Sequence, residues 1–278
     1  MRGSSLAVEG VVIDSAKVFN ERLGEREQFY KLSRGSLEFT LQTMECRSKG
    51  NWPKVRPVLT ESQQAIYEDW EKYFLGTCKP GRLGWSSRFD HRFAARTAAP
   101  RLRTLEIGAG TGTHLEYETE GEYIALEGSE TLAAEIPKRD GLSVKIVDVE
   151  TTLPFDDDSF DRVLAIHVLE HLYNLPATLD QVARVLKPRG VFVVLIPCEG
   201  GSLYTLGRRF TTKRTFEKRY DSKYDWLIRY DHCNTAREIL HLLFERFAVQ
   251  QRTFFPLGVP LVDVNVIIGL ELGLRHNS

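Results

Sequence analysis

From about residue 100 onward, short apolar runs of strand length alternate with segments of helical period. This alternation predicts a parallel sheet flanked by helices. The five strands it predicts are LRTLEIG (102–108), EYIALE (122–127), SVKIVDV (143–149), FDRVLAIH (160–167) and GVFVVLIP (190–197). Two later runs, FAVQQRTFF (247–255) and LVDVNVIIGL (261–270), are joined by a Pro and Gly linker too short for a crossover helix, so they should pair antiparallel. The pattern predicts an α/β fold of five parallel strands closed by an antiparallel terminal hairpin.

Apolar residues between the fourth and fifth predicted strands recur with helical spacing. They are Leu175, Leu179, Val182 and Leu186. The spacing places them on one face of a crossover helix that ends at Pro188 and Gly190. We expect this helix to pack on the sheet and to carry no chemistry.

The first hundred residues lack this alternation. The stretch TESQQAIYEDWEKYFLG (60–76) opens with Thr60 and Gln63 at the spacing of a capping box, and its apolar residues share one face, which predicts a helix. A weaker helical pattern lies around FNERLGEREQFYKL (19–32). Residues 1–95 are therefore predicted to form an N-terminal helical cap, and residues 96–278 the core domain.

One segment, 198–232, interrupts the route from the fifth strand to the last helix. Between Arg208 and Arg219 it carries six basic residues against Glu217 alone, and aromatic residues such as Tyr204 are interleaved with them. We call it the lid insertion. Its arginines suit an anionic, sugar-linked or lipid-linked small molecule; the alternative is a solvated helix whose aromatic residues belong to the core.

The composition restricts the partners. The 278-residue chain has a formal net charge of -1, so it carries no overall field that would gather nucleic acid. Its four cysteines form no CxxC pair, which argues against a structural zinc site and a dense disulfide framework. We expect no metal site and a cytoplasmic location. The N-terminus lacks the apolar run of a signal peptide, and no window approaches the length of a membrane span.

The stretch TLEIGAGTGTHL (104–115) predicts a glycine-rich turn between a strand and a helix. Such a turn brings a ligand close to main-chain atoms and to a helix N-terminus. A dinucleotide-binding loop requires GxGxxG or GxGxxA. Here Gly112 comes one residue early and Thr113 stands where that pattern requires Gly or Ala. The spacing therefore speaks against a nicotinamide-dependent oxidoreductase, which stays the alternative enzyme.

The loop and two segments beyond it resemble a known family. The run from Glu106 to Gly112, EIGAGTG, resembles the first motif of class I S-adenosylmethionine-dependent methyltransferases, in particular the type 11 small-molecule group. LPFDDDSFDRVLAIHVLEHL (153–172) resembles the fourth-strand motif of that family, and VLKPRGVFVVLIP (185–197) resembles its last helix and fifth strand. The similarity covers roughly residues 101–197, so the cap and the lid insertion fall outside it.

The resemblance implies roles for particular residues. Glu127 would bind both ribose hydroxyls, Asp148 would accept the adenine amino group, and Glu106 would attract the ammonium group of the amino-acid tail, directly or through water. The other cofactor-binding positions that it implies are Gly108, Ala109, Gly110, Gly112, Gly128, Val149 and His167. A carboxylate can accept from two donors at once, which suits the vicinal diol assigned to Glu127.

The methyl acceptor is harder to predict. A hydroxyl or carbon acid usually needs a general base, and histidine is the commonest one near neutral pH. The catalytic candidates are His167 and His232; the substrate-binding candidates are His91, His171, Tyr204, Arg208 and Arg209. For His171 a structural hydrogen bond is the alternative. We expect methyl transfer to an oxygen or nitrogen of a small molecule, with a non-catalytic partner-binding module as a further alternative.

Overall fold

The computed structural model describes residues 51–77 and 84–275. The helical pattern around residues 19–32 lies outside the described residues. The helix predicted at residues 60–76 is confirmed as α1 (Glu61–Thr77). Its capping box forms: the Gln63 amide donates to Thr60 Oγ1 at 3.3 Å, and the Thr60 amide donates to Gln63 Oε1 at 3.0 Å.

Seven strands form one sheet in the order β3-β2-β1-β4-β5-β7-β6. The strands are β1 (Arg103–Ile107), β2 (Glu122–Glu127), β3 (Leu142–Ile146), β4 (Phe160–Ile166), β5 (Leu186–Pro197), β6 (Phe247–Phe255) and β7 (Ile267–Leu274). The first five pair in parallel, and β7 pairs antiparallel with both β5 and β6. The predicted α/β fold with its terminal hairpin is confirmed.

Helices cover the sheet. They are α2 (Trp85–Ala95), α3 (Glu130–Ala133), α4 (Leu175–Val185), α5 (Ser202–Phe210), α6 (Thr212–Tyr220), α7 (Asp225–Asp231) and α8 (Ala236–Arg246). The helix α4 buries Leu175, Leu179 and Val182 completely, as its apolar spacing predicts. Within the described ranges, no helix is both long and apolar enough to cross a bilayer.

Several boundaries differ from the sequence prediction; among them, β3 ends at Ile146 and not at residue 149. Leu186 does not end the crossover helix; it begins β5 and pairs with Phe160 of β4. The last strand starts at Ile267 and not at residue 261, because Val262–Val264 form a 3₁₀ turn. The Asn265 amide holds that loop by donating to the carbonyls of Val259 and Leu261 at 2.7 and 2.8 Å. A side-chain bond of this kind competes with strand pairing.

A buried arginine connects α2 to the sheet. Arg162 of β4 is fully buried and forms a bidentate ion pair with Glu118 at 2.7 and 2.8 Å. It also donates to the Ala94 carbonyl and to Thr97 Oγ1, both at 2.8 Å, at the end of α2. These bonds satisfy the guanidinium inside the core and fix α2 against the sheet.

The lid insertion folds into α5, α6 and α7. Phe216 of α6 is fully buried, and its ring lies 5.2 Å from the ring of Trp70 on α1 in an edge-to-face arrangement. Arg219 of α6 forms a 3.0 Å ion pair with Asp69 of α1. Phe216, Tyr224, Tyr220 and Trp226 of the lid insertion thus form a small core with Trp70 of α1, whereas Phe210 is exposed.

Candidate functional site

The glycine loop follows β1 and is held against the end of β2. Gly108, Gly110 and Gly112 all have positive φ angles, of 67°, 56° and 75°, which only glycine adopts readily. The Ala109 amide donates to the Leu126 carbonyl at 2.9 Å. A Cβ at Gly110 would have no heavy atom within 4 Å, so the space beside this turn is open to a ligand.

Glu127 lies at the end of β2 and helps to shape the same loop. Its Oε2 accepts from the Gly110 amide at 2.8 Å and its Oε1 from the Ser129 amide at 2.9 Å. Each carboxylate oxygen has a second lone pair, so the group can still accept from a diol. The side chain is buried apart from a small exposed part. It lies beside the loop, and the ribose role that the family resemblance implies for it stays a prediction.

Asp148 follows β3 at the same edge of the sheet. Its side chain is exposed and its Oδ1 accepts from the Glu150 amide at 2.9 Å. Val149 is buried, and its carbonyl accepts from Thr178 Oγ1 at 3.1 Å, while Gly128 is exposed directly after Glu127. Because carboxyl ends of parallel strands share one edge, all these candidates lie on the side where such folds bind ligands.

Glu106 is buried beneath the loop. Tyr123 donates its hydroxyl to Glu106 Oε2 at 2.7 Å. Burial outweighs the opposing effects of His114 and Tyr123 and raises the pKa of Glu106 to about 7. The carboxyl group is therefore poised between its neutral and charged forms near neutral pH, and a cationic group placed over the loop would favour the charged form.

His167 follows β4 and pairs with α2. It has a positive φ of 54°, and its Nε2 lies 2.9 Å from Oδ2 of the buried Asp90. Although burial of the imidazole opposes its charged form, the charge of Asp90 prevails and raises the pKa of His167 well above the ordinary value. The contact with Asp90 therefore favours the protonated imidazole, in which the ring nitrogens donate hydrogen bonds.

His171 and His232 lie together, with ring centroids 4.8 Å apart. His171 Nδ1 lies 2.8 Å from the Asp231 carbonyl oxygen and 3.1 Å from Asp231 Oδ1. Burial lowers and Asp231 raises the pKa of His171, with a net value of about 9. His232 Nδ1 lies 3.0 Å from Glu199 Oε2. The end of β4, the start of the lid insertion and the end of α7 therefore meet at these rings.

The remaining acceptor candidates separate into two groups. Arg208 forms an ion pair with Glu199 and lies against the Tyr204 ring at 5.6 Å, so both belong to the His232 cluster. Arg209 is exposed on α5. His91 of α2 lies elsewhere: its Nδ1 is 3.2 Å from His114 Nδ1, and burial lowers the pKa of His91 to about 3.

Sequence reasoning missed the carboxylates that organise the histidines. These are Asp90, Glu170, Glu199 and Asp231. Asp90, Glu170 and Asp231 each directly precede a candidate histidine in the sequence, which is the one local signal that could have found them. Glu199 pairs with His232, which is far away along the chain, so no local pattern identifies it.

The strand order, with helices on the sheet and an antiparallel terminal hairpin, is that of the Rossmann-like fold of class I methyltransferases. Residues 105–194 match the family described as Methyltransferase domain. The chain therefore carries a class I S-adenosylmethionine-dependent methyltransferase domain, as the resemblance of its motifs implies. S-adenosylmethionine is the methyl donor of this class.

The residues present fit that cofactor. The open space at Gly110 leaves room beside the main chain, and the Glu127 carboxylate has free acceptor positions at the same place. The exposed carboxylate of Asp148 is available one strand further along the edge. The bound cofactor supplies an electrophilic methyl group, and these residues would hold its ribose, adenine and amino-acid parts.

The curated relatives match this domain only in part. The mouse protein named arginine-hydroxylase NDUFAF5, mitochondrial is 36% identical over 105 residues, which cover 37% of this chain and 30% of the relative. The ubiquinone biosynthesis O-methyltransferase of Rhodopseudomonas palustris (strain BisB5) is 30% identical over 112 residues, 38% of this chain and 44% of the relative. The match thus spans less than half of either relative.

Among solved structures, the [4+2]-cyclase SpnF resembles the chain with a TM-score of 0.54 at 14% sequence identity. The match covers 79% of this chain and 98% of that one. At this identity the likeness shows the fold and nothing of the reaction.

Proposed function

We propose that the chain transfers a methyl group from S-adenosylmethionine to an oxygen or nitrogen of a small molecule. The observation that supports this most strongly is the set of residues at the carboxyl edge of the sheet: the open Gly110 turn, the Glu127 carboxylate bonded to it at 2.8 Å and the exposed Asp148. Methyl transfer mainly requires that the acceptor be placed in line with the donor and that water be excluded. We expect the lid insertion to contribute to both.

The acceptor would lie between this edge and the lid insertion. We assign four side chains to this region: His167, His171, His232 and Arg208. Asp90 holds His167 in place. Of the four, His232 is the base that we favour, because Glu199 holds its Nδ1 at 3.0 Å, while its Nε2 has only a 3.8 Å approach to Asp231 Oδ2 and can accept a proton. The cationic Arg208 suits an anionic acceptor. His91 is not part of this group of contacts.

Calorimetry with S-adenosylhomocysteine tests the cofactor site. We expect the wild-type chain to bind and Glu127→Ala and Asp148→Ala to bind at least about tenfold more weakly, since each loses hydrogen bonds between a charged group and the ligand. Asp156→Ala is a matched control, because Asp156 is likewise an exposed acid but precedes β4, at the opposite edge of the sheet. Undiminished binding by both variants, or no binding by wild type, would refute the proposal.

A second activity has one observation in its favour. The mouse relative is named a hydroxylase, although the match spans 30% of its length. Mass spectrometry of an acceptor panel distinguishes the two, because methyl transfer adds one methylene and hydroxylation one oxygen. Binding of S-adenosylhomocysteine with no transfer would favour a partner-binding module, and tight binding of NADH would favour an oxidoreductase. A cytoplasmic location stays a prediction.

A further inference from the structure

Three side chains beside the proposed acceptor region form a compact group of ligand atoms. Glu170 and His171 lie in the 3₁₀ turn Leu169–His171 after β4, and His232 directly follows α7. One carboxylate oxygen or ring nitrogen from each lies within 4.8 Å of those of the other two. The proposed methyl transfer does not need this arrangement as such.

Both imidazoles are oriented by carboxylates. Asp231 holds Nδ1 of His171 at 3.1 Å, and Glu199 holds Nδ1 of His232 at 3.0 Å. This leaves the Nε2 atoms as the ring nitrogens available to a further partner. A histidine that binds a metal through one nitrogen typically bonds a carboxylate or carbonyl through the other. The two rings thus have the orientation and the supporting contacts of metal ligands.

Glu170 provides an independent observation. Its side chain is almost completely buried, and its Oε2 has no hydrogen-bond partner among the described residues. Its Oε1 lies 3.5 Å from His167 Nδ1 and 3.8 Å from His171 Nε2. A buried carboxylate oxygen without a partner is costly, so such an atom calls for an explanation. A cation bound by the Glu170 carboxylate and the two imidazoles would compensate this buried and incompletely paired group.

The charges of the cluster point the same way. Four carboxylates hold its histidines: Asp90, Glu170, Glu199 and Asp231. Of the described side chains in ion pairs with these four, Arg208 alone carries a permanent positive charge. The raised pKa of His171 shows that these carboxylates favour a positive charge at its ring, and a divalent cation at Nε2 would displace the proton there and supply that charge instead.

We propose that Glu170, His171 and His232 bind one divalent transition-metal ion. Two imidazoles and one carboxylate suit zinc, manganese, cobalt or iron better than magnesium or calcium, which prefer oxygen ligands. The sequence predicts no metal site because its ligands come from segments far apart in the chain. An ion held there would occupy His232 Nε2, so in the metal-loaded protein the ion, and not that imidazole, would activate an acceptor oxygen at a remaining coordination position; this part of the inference rests on the proposed function.

Metal titration of the full chain tests the site. The chelator-treated protein is titrated with Co²⁺, followed by visible absorption, and with Zn²⁺, followed by calorimetry. We expect one equivalent to bind to wild type, and His232→Gln and Glu170→Gln to bind at least about tenfold more weakly. His241→Gln is the matched control: His241 lies on α8, is partly exposed and pairs with Glu245 at 3.1 Å, so its loss should leave affinity unchanged.

Two further measurements make the outcome decisive. If Glu170→Gln does not fold, the result for His232→Gln decides. Glu199→Gln keeps all three ligands but should weaken Co²⁺ binding by about tenfold, because the His232 imidazole loses the carboxylate that orients it. Absence of saturable binding by wild type, or wild-type affinity in His232→Gln, would overturn the site. Calorimetry with S-adenosylhomocysteine on the same samples separates this failure from failure of the proposed function, because neither binding event requires the other.

Discussion

Single residues set the conformation of the cofactor loop. Gly108 and Gly110 both have positive φ angles, but their surroundings differ. A Cβ at Gly108 would collide with the Val168 side chain, whereas one at Gly110 would enter open space. At Gly108, packing against Val168 excludes any side chain. At Gly110, a side chain would fit, but it would occupy the space that we propose for the ligand. The two glycines are therefore required for different reasons.

Alanine substitutions separate these reasons. We expect Gly110→Ala to lower the free energy of unfolding by about 1 to 2 kcal/mol, the cost of a left-handed alanine, and to weaken S-adenosylhomocysteine binding because its methyl group occupies ligand space. Gly108→Ala should be destabilised more, since Val168 must also move. Urea denaturation and calorimetry measure the two effects. Equal destabilisation, or full affinity in Gly110→Ala, would contradict this explanation.

At the scale of elements, two helices of the lid insertion make different contacts: α6 packs on α1, and α5 lies beside the proposed acceptor region. Its helix α6 packs through Phe216 on Trp70 of α1, and Arg219 pairs with Asp69 there. Its helix α5 instead places Arg208 on Glu199, beside His232 and the proposed acceptor region. Arg209 and Arg214 are exposed, and within the described part of the chain no ion pair involves them. The basic residues of this segment therefore do not act alike.

Replacing Arg208, Arg209, Arg214 and Arg219 together with glutamine should raise the KM for the acceptor and leave cofactor affinity nearly unchanged. Among single variants, Arg208→Gln should account for most of the effect, about tenfold in KM, because it loses a charge-assisted contact beside the acceptor. The exposed Arg214 supplies the control, as Arg214→Gln should have wild-type KM. Steady-state kinetics and calorimetry test this, and an equal loss of acceptor and cofactor binding would make the segment structural.

At the scale of the whole molecule, the buried ion pair of Arg162 and Glu118 joins the sheet to α2, which carries Asp90 and thereby holds His167. Burial by itself raises the pKa of Glu118, but the combined effect of its bonds to His114 and Arg162 is larger and lowers the pKa to about 2. A depressed carboxyl pKa contributes stability above the unfolded value, near 4.5, and that contribution is lost as the pH falls toward 2.

Arg162→Met should lower the free energy of unfolding by about 3 to 5 kcal/mol, because it leaves the Glu118 carboxylate buried without its main partner. Adding Glu118→Gln to that variant should restore part of the loss. Urea denaturation at neutral pH measures both changes. When the pH is lowered, the free energy of unfolding should fall less in Arg162→Met than in wild type, because the variant has already lost the ion pair that acid would disrupt. A variant as stable as wild type would show that α2 is held by other contacts.

The sequence by itself determined the sheet, the crossover helix and the cofactor loop. Strand alternation, helical spacing and the run EIGAGTG are local patterns that can be identified within a few consecutive residues, although the strands they specify pair with partners far along the chain. The positions of Glu127 and Asp148 were predictable as well, since ends of parallel strands share one edge. The boundary errors at Leu186 and Ile267 arose where tertiary pairing overrode local preference.

Only the tertiary structure decided the environment of the histidines. Asp90 reaches His167 across 77 positions, and Asp231 reaches His171 across 60. Such pairs form because α2 and the lid insertion pack over the carboxyl edge of the sheet, and no local periodicity specifies which side chains then meet. Packing also decided that Glu170 is buried with one unpartnered oxygen among the described residues, and that His91 stacks on His114. The cofactor loop is thus encoded locally, whereas the acceptor side is a product of long-range packing.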